Sequence, residues 1–255
     1  MKSRRITEME SYILSHGSVT MEELRDAFGI SMNTVRRDIA ELVKPGHIQK
    51  VYGGVKAASQ TPVLVPYAVR SSTPSSAKQA ICAQAAQMVK DGDIVFIDSG
   101  TTTMHIVEAV RDKNITIITN NIEVMVQALK YENIRLIVLP GEIHRKTYSI
   151  TGEESASYLS HMNTNIAFMA ATGASYAGVT NSSPLEYSIK KAAVSHTGKA
   201  VLLVTGNKFG KTSLYTYASL NQFKTVITDA SIPDEYRDML HEMQVDLQMV
   251  EASVP

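Results

Sequence analysis

Residues 31–39 read Ser-Met-Asn-Thr-Val-Arg-Arg-Asp-Ile, and this stretch decides how the N-terminal part of the chain folds. It predicts an amphipathic helix whose apolar residues recur at helical spacing: Val35, Ile39, Leu42 and Val43. The polar residues of its first turns are predicted to point away from that core: Asn33, Thr34, Arg36 and Arg37. Arginine and asparagine near a helix N-terminus have the donor geometry that reads guanine and adenine in a major groove. An ordinary solvent-exposed helix face could have the same residues. The neighbouring sequence therefore has to distinguish a DNA-reading helix from a solvated one.

Two predicted helices precede this stretch and would support it. The first has an apolar stripe that ends near Gly17: Ile6, Met9, Ile13 and Leu14. Thr20 and Glu23 form a capping box that opens the second helix, because each side chain can bond the backbone amide of the other residue. The apolar residues of this helix are Leu24, Ala27 and Phe28. It ends at Gly29, which suits the left-handed end of a helix, and Ser31 caps the third helix.

A hairpin is predicted after the third helix. Pro45-Gly46 reads as a turn, residues 48–52 as a strand, and Gly53-Gly54 as the tip of the hairpin. A basic hairpin after three helices is a wing, which can grip the phosphate backbone or a minor groove. The sequence therefore predicts a winged helix-turn-helix domain.

Residues 1–57 resemble the DNA-binding domain of DeoR-type bacterial transcription regulators. The matching segments are Val19-Thr20 with Glu23-Leu24, Ser31 followed by residues 34–39, and residues 52–55. The resemblance implies that double-stranded operator DNA is the partner. The residues it implies at the DNA are Thr20, Ser31, Asn33, Thr34, Arg36, Arg37, Lys50 and Tyr52. Asp38 is expected to hold the domain together instead, because phosphates repel a carboxylate.

Length and charge fit a chain of two domains. The 255 residues are divided here into a DNA-binding domain (1–57), a linker rich in Ser and Pro (58–76) and a second domain (77–255). Residues 1–58 hold nine Lys/Arg against seven Asp/Glu, a net charge of +2, so the remainder carries −2 in a neutral chain. Such a small excess predicts modest non-specific affinity for DNA and a need for dimerisation.

Several classes of protein are disfavoured. The single cysteine, Cys82, excludes an intramolecular disulfide and is predicted to be a buried apolar residue. The seven histidines are scattered, so we predict neither a zinc site nor a cofactor. No apolar run approaches membrane-spanning length, and no signal peptide is recognisable, so we expect a soluble, cytoplasmic protein without a membrane partner.

From residue 77 onward, strand and helix signals alternate. The predicted strands are 94–97, 115–118, 134–139, 166–170, 200–204, 225–227 and 245–250. The predicted helices are 77–89, one around 107–110, 122–130, 185–196 and 233–243. Short apolar strands that alternate with helices predict a Rossmann-like α/β domain with a mostly parallel sheet. In such a sheet, ligands bind at the carboxyl ends of the strands.

Polar residues follow several of these strands. Residues 98–103 (Asp-Ser-Gly-Thr-Thr-Thr) lie between a strand and a helix, where a glycine, hydroxyls and helix N-terminal amides can hold a phosphate. Thr119-Asn120-Asn121, Pro140-Gly141-Glu142 and Lys208-Phe209-Gly210 follow other strands. A single such turn would be unremarkable, but several polar strand ends predict one shared pocket.

Residues 77–250 resemble the sensor domain of DeoR-type regulators, which is related to ribose-5-phosphate isomerase. The matching segments are 98–102, 119–121, Pro140-Gly141 with Arg145, 178–180 with Glu186, and 207–210. The resemblance implies a phosphorylated sugar, or a similar metabolite, as effector. The residues it implies at the effector are Asp98, Gly100, Thr101, Thr102, Thr119, Asn120, Gly141, Arg145, Glu186 and Lys208. Thr101, Thr102 and the Gly100 backbone would take the phosphate.

An isomerase-like enzyme with an appended DNA-binding domain is the alternative. Isomerisation of a sugar needs a general base beside the reacting carbon, and residues 170–176 contain no carboxylate. Glu186 remains, but at the start of a predicted helix it also suits the helix dipole. We therefore predict no catalytic residue, and a repressor that assembles as a dimer or tetramer. Repression itself is implied by the family resemblance alone.

Overall fold

The computed structural model describes residues 5–6, 8–10, 12–13, 17–44, 48–57, 67, 70 and 76–251. Two compact units are present, Met1–Arg70 and Ser71–Pro255. Leu14, the predicted turn at 45–46 and most of the predicted linker at 58–76 lie outside the described residues.

The first unit is a winged helix-turn-helix, as predicted. Residues 5–6, 8–10 and 12–13 are helical. The elements that follow are β1 (Ser18–Thr20), α1 (Met21–Phe28), α2 (Met32–Leu42), β2 (Ile48–Val51) and β3 (Gly54–Ala57). The strands form an antiparallel sheet in the order β1-β3-β2. Strand β1 was not predicted. It pairs with β3 so closely that a Cβ on Gly54 would lie 2.3 Å from the carbonyl oxygen of Val19.

The core of this unit follows the predicted apolar stripes with small corrections. The fully buried apolar side chains are Met9, Ile13, Leu24, Val35, Ile39, Ile48 and Val55. Ala27 is exposed, whereas Phe28 is half-buried and contacts Tyr12 edge-on, with 5.6 Å between ring centroids. The predicted strand at 48–52 ends one residue earlier, because Tyr52 and Gly53 form the turn of the wing.

The second unit is the predicted α/β fold. Its helices are α3 (Ser76–Ala86), α4 (Ile106–Ala109), α5 (Ile122–Ala128), α6 (Glu153–Ser160), α7 (Pro184–Ser195) and α8 (Asp234–Glu242). The strands of its main sheet are β4 (Ile94–Ile97), β5 (Ile115–Thr119), β6 (Ile134–Val138), β9 (Thr164–Met169), β12 (Thr197–Leu203), β14 (Thr225–Asp229) and β15 (Asp246–Val250). All seven strands are parallel, in the order β15-β14-β12-β9-β4-β5-β6. Their side chains alternate between two apolar clusters, one on each face of the sheet.

Short elements outside this sheet were not predicted. They are a hairpin, β7 (Glu142–His144) with β8 (Ser149–Thr151), and a small antiparallel sheet of β10 (Gly173–Ser175), β11 (Gly178–Asn181) and β13 (Tyr215–Ala218). Helix α6 was missed as well. These pieces are too short, or too polar, to show a periodic apolar pattern.

The strand order places a topological switch point between β4 and β9. From β4 the chain adds β5 and β6 on one side, whereas β9, β12, β14 and β15 lie on the other. The crevice outside the carboxyl ends of β4 and β9 is therefore the position where an open parallel sheet binds ligands.

Cys82 lies fully buried in α3, as predicted, and its Sγ donates to the Thr102 carbonyl oxygen at 3.0 Å. Burial raises the pKa of the Cys82 thiol, which keeps it protonated and unreactive. We expect a thiol reagent at pH 8 to modify the folded protein at least about 100-fold more slowly than the urea-unfolded chain, because reaction requires local opening. Absorbance of the released thiolate would measure both rates, and equal rates would contradict this burial.

None of the described helices is long and apolar enough to cross a membrane.

Candidate functional site

Helix α2 presents a polar, basic face that is set by its cap. The Ser31 hydroxyl accepts the Thr34 N–H at 3.3 Å, and the two hydroxyl oxygens lie 2.9 Å apart. This cap fixes the helix so that Val35 and Ile39 point into the core. The exposed side chains opposite that core are Asn33, Arg36 and Arg37. Thr34 is half-buried and belongs to the cap as much as to the surface.

The other residues predicted at the DNA lie at the N-cap of α1 and in the wing. Thr20 accepts the Glu23 N–H at 3.1 Å, and its own N–H donates to Glu23 Oε2 at 2.7 Å, which confirms the capping box. Lys50 is exposed on β2, and Tyr52 is fully exposed at the tip of the wing. Contact of these side chains with DNA stays a prediction.

Asp38 is buried beneath the exposed face of α2. Its Oδ2 accepts from Nε and a terminal nitrogen of Arg5, each at 2.8 Å. The Nε of Arg37 lies 3.9 Å from the other carboxylate oxygen. The carboxylate thus links the first helix to α2 and is kept away from any DNA phosphate by its own burial.

In the second unit, a buried ion pair lies at the switch point. Asp98 follows β4 and is fully buried. Lys190 of α7 is also buried, and its ammonium group donates to Asp98 Oδ2. Asp98 also accepts the N–H groups of Ser99 and Ala170, each at 2.9 Å. The Lys190 ammonium lies 3.3 Å from the Ala170 carbonyl oxygen and 5.4 Å from the ring centroid of Tyr217. These bonds join the carboxyl ends of β4 and β9.

This arrangement favours a supporting role for Asp98 over the predicted contact with an effector. Its carboxylate has no exposed surface and already accepts three donors, the Lys190 ammonium group and the N–H groups of Ser99 and Ala170, so we expect no direct contact with an effector. Burial raises the pKa of Asp98, whereas Lys190 and the Ala170 N–H lower it and only partly offset the burial. Asp98 instead positions the loop that follows it.

That loop, residues 99–103, lies tightly against the end of β9. A Cβ on Gly100 would lie 2.6 Å from Ala170 Cβ, so only glycine permits this approach. The Gly100 carbonyl oxygen accepts from Asn121 Nδ2 at 3.2 Å, and Thr103 Oγ1 donates to the Asp98 carbonyl oxygen at 2.7 Å. Thr101 is buried and Thr102 half-buried.

The helix predicted behind this loop is short. A 3-10 turn, Thr103–His105, comes first, and α4 is only four residues long. A macrodipole grows from many aligned peptides, so one helical turn contributes little of it. Backbone N–H groups and hydroxyls of the loop are the remaining donors for an anion.

Glu186 is the second buried acid of the crevice. Its Oε1 accepts the hydroxyls of Ser99 at 2.5 Å and Ser149 at 3.0 Å, and its Oε2 accepts Asn181 Nδ2 at 3.5 Å. The Ser149 hydroxyl also lies 2.8 Å from the Thr147 hydroxyl. A carboxylate offers about four lone-pair positions. Glu186 Oε2 can therefore accept a further hydrogen bond.

The β7–β8 hairpin covers this side of the crevice. The Asn120 carbonyl oxygen accepts the Ile150 N–H at 2.8 Å, and Asn120 Nδ2 donates to the Ile150 carbonyl oxygen at 3.1 Å. Asn120 Oδ1 is buried and has no hydrogen-bond partner within the described part of the chain. Gly141 (φ +136°) and Gly152 (φ +145°) bound the hairpin, and both adopt backbone conformations that favour glycine.

Comparison with known proteins assigns the family. Residues 5–61 match the DeoR-like helix-turn-helix domain, and residues 74–230 match the DeoR C-terminal sensor domain. This chain belongs to the DeoR family. The family resemblance drawn from the sequence is thereby confirmed.

Relatives in the DeoR family are named transcription regulators. The HTH-type transcriptional regulator IolR of Bacillus subtilis is 42% identical over 98% of this chain and 100% of its own length. The glycerol-3-phosphate regulon repressor of Escherichia coli is 28% identical over 93% of this chain and 94% of its own. The solved structure of ribose 5-phosphate isomerase A of Methanocaldococcus jannaschii overlaps 52% of this chain and 53% of its own, with 18% identity and a TM-score of 0.38.

The remaining residues predicted for the sensor domain are less central. Thr119 is buried, and its hydroxyl donates to the Ile97 carbonyl oxygen at 2.6 Å. Gly141 has a local reason to be glycine, since a Cβ would lie 2.5 Å from the Thr151 carbonyl oxygen. Arg145 is exposed in the turn of the β7–β8 hairpin, and Lys208 is half-buried in a 3-10 turn, Gly206–Lys208.

Sequence reasoning missed Lys190, Ser99, Ser149 and Asn181. One signal was available, because Glu186 and Lys190 are four residues apart and so share a face of α7. That face meets the loop after β4, where Lys190 contacts Asp98 and Glu186 contacts Ser99. Ser149 and Asn181 lie on short strands, and nothing local marked them.

Proposed function

We propose that this DeoR-family chain is a sequence-specific DNA-binding repressor of a carbohydrate-utilisation operon, controlled by a phosphorylated sugar. Residues 1–57 would bind DNA, 58–76 would link the domains and 77–255 would bind the effector. As a reader of operator DNA it would act in the bacterial cytoplasm. Two observations in one chain carry the proposal. A capped helix has exposed Asn33, Arg36 and Arg37, and buried polar side chains cluster at the switch point of a parallel sheet.

The effector site would have two chemically distinct sides. The Gly100 backbone, Thr101 and Thr102 would hold the phosphate, with Arg145 and Lys208 supplying positive charge. On the other side, Glu186 Oε2 retains acceptor capacity, and Asn120 Oδ1 has no partner among the described residues. Two oxygen acceptors suit the hydroxyl groups of a sugar. Asp98 and Lys190 would hold the phosphate loop from behind.

These side chains suit a domain that binds a sugar phosphate without converting it better than they suit an isomerase. A general base must reach the proton that it abstracts, with a pKa suited to the task. The Asp98 carboxylate is ion-paired and closed off, and the segment after β9 contains no acidic side chain. The relatives named above are regulators, which agrees with a domain that senses its ligand.

Fluorescence anisotropy of the purified protein on its own upstream DNA would test the function. The titration would be run with and without a panel of sugar phosphates. We expect saturable, sequence-specific binding that one compound shifts. Specific binding that no compound shifts would overturn the effector assignment alone, whereas turnover of a sugar phosphate without DNA binding would favour the isomerase-like enzyme.

Thr101→Arg tests the phosphate side of the site separately. The long cationic side chain would fill a crevice in which Thr101 is only 7% exposed. We expect operator affinity within about threefold of wild type. The effector concentration that half-maximally shifts DNA binding should rise at least about tenfold, since binding groups would be displaced. Thr116→Arg, at a half-buried position within β5, is the matched control. An unchanged effector response in the Thr101 variant would place the ligand elsewhere.

The proposed repressor would be a dimer or tetramer. The modest charge of residues 1–58 calls for two DNA-binding domains on one operator, because each contributes few phosphate contacts. Two reading helices also require a fixed half-site spacing, which assembly through the sensor domains would supply.

A further inference from the structure

The carboxylate of Asp38 is buried with only one of its two oxygens hydrogen-bonded. Asp38 is 0% exposed, and its Oδ2 accepts both hydrogen bonds from Arg5, at 2.8 Å each. Its Oδ1 is buried as well and has no hydrogen-bond partner among the residues that the structure describes. An unpaired buried acceptor costs free energy. One oxygen of this carboxylate is therefore available to a donor that can reach it.

Arg37 carries a donor close to that oxygen. Its Nε lies 3.9 Å from Asp38 Oδ1, which is about 1 Å longer than an ordinary N–H···O hydrogen bond. Because the Arg37 side chain is 62% exposed, its end can rotate toward Asp38 without moving buried side chains. The resulting hydrogen bond would pair Oδ1 and fix the guanidinium group of Arg37 at its Nε.

Fixing Nε leaves the far end of the Arg37 guanidinium group free. The group is a rigid planar fork, and its two terminal nitrogens together carry four of its five N–H donors. Those two nitrogens can bond the O6 and N7 acceptors of one guanine at the same time. A long side chain loses conformational freedom when it binds, and a side chain that is anchored beforehand loses less. An anchored arginine should therefore read a guanine better than a free one.

The position of Arg37 favours a base over a phosphate as its target. Arg37 lies in the second turn of α2, and the N-terminal part of a reading helix is the part that meets base edges. A phosphate contact depends mainly on charge, so an anchor beneath the guanidinium group would add little to it. Burial keeps the anchoring carboxylate of Asp38 away from the DNA phosphates, and Arg5 balances its charge.

We propose that Asp38 is a positioning residue for Arg37, and that Arg37, anchored at its Nε, reads a guanine of the operator through its two terminal nitrogens. The inference rests on the proposed DNA-binding function and deepens it, because it assigns one residue of the reading helix to one kind of base. Asp38 would thus have a second role beside the link between the first helix and α2. The two roles use different oxygens of the same carboxylate.

Operator duplexes that contain 7-deazaguanine test the proposal, because this base lacks the N7 acceptor of guanine. Each guanine of the protected upstream sequence would be replaced in turn, in both half-sites, and binding would be measured by fluorescence anisotropy. We expect a position at which the replacement weakens wild-type binding at least about fivefold, since a hydrogen bond from a charged donor is lost. Arg37→Ala should bind operator more weakly and should no longer respond to the replacement at that position.

Asp38→Asn should reduce the effect of that same replacement to less than about twofold, while the effects at other guanines stay unchanged. A purely structural role of Asp38 would weaken every contact of the reading helix alike, so a loss at one position separates the two roles. The matched control is Arg5→Lys, which alters the other partner of the carboxylate, keeps its positive charge and should preserve the effect at the Arg37 position.

Circular dichroism would verify that each variant folds. If Asp38→Asn alone does not fold, the double variant with Arg5→Gln takes its place, because neither member of the buried pair is then left charged without a partner. The same loss at the Arg37 position is expected from it.

Three results would overturn the proposal. They are the absence of any guanine whose replacement acts through Arg37, an effect that Asp38→Asn leaves undiminished or reduces equally at every guanine, and an equal loss in Arg5→Lys. Wild-type protein that binds its operator specifically and gives one of these results leaves the proposed function standing. Absence of specific operator binding by wild type would instead contradict the proposed function itself.

Discussion

Lys190→Met is expected to destabilise the sensor domain by about 3–5 kcal/mol, because it leaves the buried Asp98 carboxylate without its cationic partner. Lys190 is 2% exposed and Asp98 0%, so water does not replace the lost ammonium group. Methionine keeps the length of the side chain, so the change removes the charge rather than the packing. Urea unfolding followed by circular dichroism would measure the difference in free energy of unfolding.

A charge-specific origin of that loss has two signatures. Adding Asp98→Asn to the Lys190→Met protein should recover a large part of the stability, because the uncompensated charge is gone. The loss should also shrink on acidification. Burial already raises the pKa of Asp98 in the folded protein above its unfolded-state pKa of about 3.9. The stability that protonated Asp98 contributes is therefore fully present below the unfolded-state pKa and is lost as the pH rises through the folded-state pKa. Without Lys190, the pH interval between the unfolded-state and folded-state pKa values of Asp98 becomes wider. A loss that is equal at pH 5 and pH 7 and unrelieved by the second substitution would indicate packing alone.

Arg36→Ala is expected to abolish specific operator binding while effector binding stays intact. A bidentate contact from arginine to a base is worth about 1–3 kcal/mol, and a dimer loses it in both half-sites. Arg36 is exposed on α2, outside the core of the domain, so its removal should leave folding unchanged. Anisotropy on operator and scrambled duplexes, with calorimetric titration of the effector, would measure both activities.

Arg25→Ala is the matched control for that substitution. Arg25 is an exposed arginine of the preceding helix, and its Nε already donates to Asp26 at 2.7 Å. We expect little change in operator affinity from its removal. If the Arg36 and Arg25 variants each lose as much affinity for scrambled DNA as for operator DNA, Arg36 acts through its charge on phosphates rather than through base recognition. The salt dependence of binding would then change as well. Loss of effector binding in the Arg36 variant would indicate misfolding.

Whether an element could be predicted from the sequence depended on its length and on whether local or distant contacts stabilise it. Helix α2 was predicted with its cap because Ser31, Thr34 and the apolar spacing all act within a few residues. The parallel strands were predicted because burial on both faces requires continuous apolar runs. The β7–β8 hairpin and β10 were missed. Three-residue strands have no periodic pattern of their own and exist because a partner strand lies beside them.

In the candidate site, too, local features could be predicted from the sequence and contacts between distant residues could not. Glycine and threonine in residues 98–103 marked a ligand loop, and Gly100 does lie where a side chain would collide with Ala170. The predicted effector contact of Asp98 stays a prediction, and the sequence does not show that Lys190, 92 residues later, contacts its carboxylate. Burial of Asp98 favours a supporting role instead.

The sequence by itself determined the order of the two domains, the reading helix with its caps and the parallel sheet, because these depend on local hydrogen bonds and on the spacing of apolar residues. Only the tertiary structure decided which polar side chains are spent inside the protein and which remain open to a ligand. Asp98 and Glu186 are both acids at the same crevice, yet one meets an ammonium group and the other only neutral donors. That difference arises from strands and helices distant in sequence, since the free energy of a buried charge depends on the groups that the fold brings around it.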